Sequence, residues 1–114
     1  YRKKEQAKDL ANIGIKPIDF KNAAEIIENA DAILSSVPPS EKGDPVITQF
    51  GEFLSKAKKK CWIGYLSTTG VYGDTGGIEV DELAPTNPSN NRSRRRVISE
   101  KEWLSFLLKA KGNE

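Results

Sequence analysis

The sequence predicts an α/β fold built on a parallel sheet. Two observations carry that reading. Residues 31–39 ("DAILSSVPP") and 61–67 ("CWIGYLS") hold runs of adjacent apolar residues rather than alternating ones, as strands covered on both faces do. Around them lie segments of about ten or more residues with helical apolar spacing, long enough for the right-handed crossovers that parallel strands require.

The elements follow in order. Residues 1–14 read as a helix with a thin stripe of Ala7, Leu10, Ala11 and Ile13, no visible N-cap, and Gly14 as the stop. Residues 15–20 ("IKPIDF") read as a short strand, and residues 21–30 as a helix turning Ala24 and Ile27 inward, flanked by Ala23 and Ile26. The strand at 31–39 carries Ala32, Ile33 and Leu34 and stops at Pro38-Pro39. After a loop, "SEKGDP", a helix is expected over 46–59, with Ile47, Phe50, Gly51, Leu54 and Ala57 on one face. The strand at 61–67 comes next, then a turn-rich stretch to residue 91. The last helix is expected over 93–110, with Val97, Leu104, Leu107 and Leu108 on one face and Trp103 at the rim.

Composition narrows the function. The chain has 114 residues, 37% apolar and 30% charged, which is globular in balance and about one small domain in size. No apolar run approaches the ~18 residues of a membrane span. Histidine is absent and Cys61 is the single cysteine. His-based triads, most transition-metal sites and an internal disulfide are thereby removed, and a reducing, cytoplasmic setting is expected. A net charge of +2 gives no reason to expect nucleic acid. The local exception is Arg92, Arg94, Arg95 and Arg96. With no aromatic stacking motif beside them, they read as a grip for a phosphate-bearing ligand or acidic partner, or as a solvated charged turn. On a helix Arg92 and Arg96 share a face, whereas Arg94 and Arg95 point elsewhere.

"LSTTGVYGDTGG" (66–77) spaces Gly70, Gly73 and Gly76 as a dinucleotide phosphate loop would. Such a loop opens directly into a helix whose N–H groups hold the pyrophosphate. Here "IEVDELAPTNPSNN" follows, with two prolines, so the glycines are expected to shape a turn instead. The position still matters, because ligands of open parallel sheets sit beyond the carboxyl ends of the strands. Both ends, 35–39 and 67–73, carry small hydroxyl residues. These either meet a ligand or cap turns.

"LSTTGVYGD", followed by "VDELAPTNPSNNRSRRRVISEKEW", resembles the second half of an extended short-chain dehydrogenase/reductase domain. That group includes the NAD-dependent epimerase/dehydratase proteins acting on nucleotide sugars. The resemblance implies a partial Rossmann-like, doubly wound parallel sheet with flanking helices, lacking its first βαβ unit. It also implies NAD or NADP as cofactor and a small-molecule substrate, with neither nucleic acid nor a membrane as partner. Homo-oligomerisation stays open.

The resemblance also implies site residues. Thr68, four before Tyr72, falls where the family places the catalytic hydroxyl that bonds the substrate oxygen. Ser67 and Thr69 flank it, with Ser67 toward cofactor and Thr69 toward substrate. Asp19 would lie near the adenine, and Ser35, Ser36, Val37 and Pro38 near the ribose and nicotinamide. One departure stands out. The family's Tyr-x-x-x-Lys positions fall on Arg92 and Arg96. Arginine stays protonated and cannot exchange a proton with substrate. Arg96 would replace the lysine at the nicotinamide ribose, and Arg92 would stabilise an oxyanion, bind a phosphate or sit on the surface. Tyr72 is the nearest alternative proton donor, although the family gives it no such role. This pattern resembles the atypical branch of the family. The family's glycine loop and first two strands would precede Tyr1 and its substrate region would follow Glu114, so residues 1–114 are expected to be one segment of a dinucleotide-binding domain.

Overall fold

The computed structural model describes residues 1–57 and 60–111. Its elements are α1 (Lys4–Asn12), α2 (Ala24–Asn29), β1 (Ala32–Ser35), α3 (Pro45–Ser55), β2 (Trp62–Tyr65) and α4 (Asn91–Lys111), with 3-10 turns at Phe20–Asn22 and Thr69–Tyr72. The two strands pair in parallel, Ala32 opposite Trp62 through Ser35 opposite Tyr65. The chain is therefore a small α/β unit: a two-stranded parallel sheet with flanking helices.

Helix ends follow local chemistry. Gly14, at φ 83°, ends α1, and the Gly14 and Ile15 N–H groups return to the Ala11 and Leu10 carbonyls, a Schellman closure. At its start the Gln6 side chain accepts from the Lys3 N–H at 3.3 Å, a partial cap. Asp44 caps α3, accepting from the Val46 and Ile47 N–H groups at 2.9 and 3.2 Å, with Pro45 in the first turn. Helix α3 closes at Ser55 rather than 59; Lys58 and Lys59 lie outside the described residues. Asn90 caps α4 by accepting from the Ser93 N–H at 2.8 Å, so that helix begins two residues before the expected start.

The core sits on one face of the sheet. Val46, Phe50 and Leu54 of α3 meet Trp103 of α4. Ile33, Ile63 and Tyr65 pack against them from the strands, and Ala23, Ala24 and Ile27 from the α2 region. The opposite face is open: Leu34 is 58% exposed and Trp62 60%. Adjacent apolar residues in both strands thus mark a sheet of which one side is covered within the described residues.

Two expectations need correction. Residues 15–20 form no strand. Pro17 lacks an N–H, and among the described residues the backbone ties beside Tyr1 are its amino group to the Ile18 carbonyl at 2.8 Å and the Phe20 N–H to the Tyr1 carbonyl at 2.9 Å. On α4, Trp103 is buried while Leu104 and Leu108 are 64% and 68% exposed. Val97 is buried as expected, while Ser99 and Trp103, one turn apart, face inward because Asp44 supplies buried hydrogen-bond acceptors there.

Candidate functional site

Both parallel strands end on the same side of the molecule, and the N-terminal turns of α4 lie across that side. After β1 the chain runs through Ser36 and Val37 to Pro38-Pro39, and after β2 through Leu66 and Ser67 to Thr68. Between these ends and α4 lies a cavity of about 390 Å³, lined by Pro38, Pro39, Thr68, Asn90, Arg92, Ser93, Arg95 and Arg96.

Thr68 caps the 3-10 turn, its Oγ1 accepting from the Gly70 N–H at 3.2 Å. That bond uses a lone pair and leaves the hydroxyl proton free for another acceptor. Turn-capping and substrate contact, alternatives in the sequence, are thus compatible at this side chain. Gly70 lets the turn press against α4, since a Cβ there would lie 2.6 Å from Ser93 Oγ.

Arg96 reaches back over the strand end. Its Nη1 donates to the Leu66 carbonyl at 2.7 Å, and its guanidinium carbon lies 6.0 Å from the Tyr65 ring centroid. Arg95 pairs with Glu41, in the tight turn between Ser40 and Gly43, at 3.0 Å. Arg94 turns away and bonds Asn91. Arg95 therefore joins Arg92 and Arg96 at the cavity, a correction to the expectation that it points elsewhere.

The other candidate residues are distributed around this centre. Ser36, Val37 and Pro38 line a neighbouring cavity of about 530 Å³ with Tyr1, Arg2, Gln6 and Phe20. Pro38 and Pro39 belong to both cavities. Ser67 lines a third, beside Tyr65 and Trp103. Asp19 caps the turn at Phe20–Asn22 through the Lys21 N–H, and Thr69 is exposed in the next turn. Tyr72 is half-buried at the end of that turn and is not among the residues lining the Thr68 cavity. Ser35 is 4% exposed, faces the core, and its Oγ has no hydrogen-bond partner among the described residues.

Residues that the sequence reading passed over support the site. Asp44 is fully buried, and its Oδ2 accepts from Ser99 Oγ at 2.6 Å and Trp103 Nε1 at 2.9 Å. It thereby fixes α4, and the arginines on it, against the loop that follows β1. The Asp-Pro pair ahead of an apolar run was the available signal for its capping role, but not for its reach to α4. Asn90, capping α4, and Glu41, holding Arg95, support it too.

No protein-family model matches the chain, and no curated protein matches it. Among solved structures it is similar to a functionally unknown conserved protein from Silicibacter pomeroyi DSS, at 33% identity and a TM-score of 0.84. The match covers 93% of this chain and 38% of that one. The chain thus corresponds to little more than a third of that longer protein.

Proposed function

We propose that the chain is the middle segment of an NAD(P)-dependent oxidoreductase or epimerase/dehydratase-like protein of the atypical short-chain dehydrogenase/reductase kind. Its substrate is a small alcohol or carbonyl compound, or a nucleotide sugar. The observation that carries this reading is the convergence of Thr68, Arg92, Arg96 and Pro38 on one cavity at the carboxyl ends of two parallel strands. Thr68 donates a hydrogen bond from its hydroxyl to the substrate oxygen, and Arg96, anchored on the Leu66 carbonyl, orients the nicotinamide ribose. The cofactor runs over Ser36 to Pro38 into the neighbouring cavity.

The doubly wound arrangement belongs to the same proposal. Tyr1 both donates to Ile18 and accepts from Phe20, the pattern of a parallel bridge. It favours a sheet that continues on that side of the molecule. The arginine at position 92, where the family keeps its proton-transferring tyrosine, favours a second reading, a dinucleotide-binding module without turnover.

Calorimetric titration of the protein with NAD⁺ and NADPH, followed by a reductase assay on mixed carbonyl compounds, separates the two. Saturable cofactor binding with turnover that falls in Thr68→Ala supports the oxidoreductase. Binding with no turnover leaves the module, and no binding overturns both.

A further inference from the structure

The cavity at Thr68 is strongly cationic. Arg92, Arg95 and Arg96 line it, and no acidic residue does so among the described residues. Gathering three guanidiniums around one concavity is repulsive unless an anion offsets them. Two of the three are already engaged, and in different ways. Arg96 is held by a neutral carbonyl, and Arg95 by Glu41, whose side chain is 82% exposed. Arg92 makes no ion pair or side-chain hydrogen bond within the described residues. Its five donors, in a planar fork that fits oxyanions, are available.

We propose that this cavity binds the phosphate or carboxylate group of its ligand, with Arg92 and Arg95 holding the charge and Glu41 competing for Arg95. Arg96 stays on the Leu66 carbonyl. The N-terminal end of α4, with its positive dipole, faces the same space and adds to the attraction. The inference rests on the functional reading above only in calling that ligand the substrate: the anion would lie beside Thr68, with the reacting carbon next to it.

The test is titration of the protein with inorganic phosphate and, separately, malonate, followed by calorimetry at low ionic strength. Saturable binding of either anion is expected, and whichever binds more tightly identifies the group. Arg92→Ala should weaken it by about tenfold or more, as loss of a charge-assisted bidentate contact does. Glu41→Gln should strengthen it, because Arg95 is released. Arg94→Ala, on the side turned away, should leave it unchanged. Should the arginine variants misfold, phenylglyoxal labelling of the unmodified protein, mapped by mass spectrometry, gives the answer: phosphate or malonate should protect Arg92 and Arg95 but not Arg94. Non-saturable binding, equal weakening by Arg94→Ala, no effect of Glu41→Gln, or no protection would each overturn the proposal. Anion binding without any cofactor binding keeps this inference and removes the oxidoreductase; cofactor-dependent turnover of neutral substrates with no anion binding does the reverse.

Discussion

The carboxylate of Asp44 accepts the Ser99 hydroxyl at 2.6 Å, joining the start of α3 to the middle of α4 across 55 positions of sequence. The same oxygen takes the Trp103 indole N–H, while the other oxygen caps α3. A fully buried carboxylate is tolerable only with its acceptor sites filled, and here four donors fill them. Asp44→Ala leaves those donors without partners and should cost about 3 kcal/mol or more. Asp44→Asn keeps the cap but turns an NH2 group toward the Trp103 N–H, and should cost roughly half as much. Urea denaturation followed by tryptophan emission measures both, since Trp103 is buried and Trp62 is 60% exposed.

How much of this was legible can be judged from particular residues. Strands within 31–39 and 61–67 were readable because adjacent apolar residues are a local property, though β1 and β2 are shorter than those runs. Residues 15–20 were not, because a strand exists only through its partner, and Pro17 and the two hydrogen bonds to Tyr1 do not supply one. On α4, counting apolar residues favoured Leu104 and Leu108 over Trp103. The outcome was reversed by a polar group, Asp44, 59 positions away from Trp103. Thr68 and the arginines were readable as candidates. That Arg95 joins Arg92 was not, since it depends on where Glu41 and the 40–43 turn lie.

Gly73 and Gly64 should respond differently to alanine. Gly73 has φ 68° and ψ −153°, a region essentially confined to glycine. An added Cβ there would also lie 2.0 Å from the backbone oxygen of Asn87, whose N–H is bonded to the Val71 carbonyl. Gly73→Ala should therefore cost about 3 kcal/mol and free the 74–90 loop. At Gly64 the obstacle is the Trp62 ring, 2.3 Å from the Cβ position, which can swing outward. Gly64→Ala should cost about 1 kcal/mol or less and shift Trp62 emission to the red. Equal losses for the two would show that the Asn87 contact is not what fixes the loop.

Ser35 offers a prediction of opposite sign. Its Oγ is buried and, among the described residues, unpaired, on the core face of β1 opposite Tyr65, whose hydroxyl is likewise unpaired there. A buried hydroxyl without a partner carries a desolvation cost of about 1–3 kcal/mol. Ser35→Ala should raise the urea midpoint without changing the slope, and leave cofactor affinity as it was. Lower affinity for NAD⁺ or NADPH in this variant would instead put the hydroxyl on the cofactor, against the direction in which its side chain faces.

Thr68 separates structural from chemical work. Its oxygen caps the turn at Gly70 through one bond of 3.2 Å, worth about 1 kcal/mol. The hydrogen bond that the same O–H donates to the substrate oxygen is what the proposed reaction uses. Thr68→Ser keeps both, and should hold stability and turnover near the original. Thr68→Val keeps the shape and loses both, while Thr68→Asp keeps an acceptor for Gly70 but presents no proton at neutral pH. If the hydroxyl stabilises charge on the substrate oxygen, kcat should fall about 10²–10³-fold in both the valine and the aspartate variants. Stability should fall only in the valine variant. Turnover that follows stability, low in valine and normal in aspartate, would reduce Thr68 to a turn cap and move the chemistry elsewhere in the cavity.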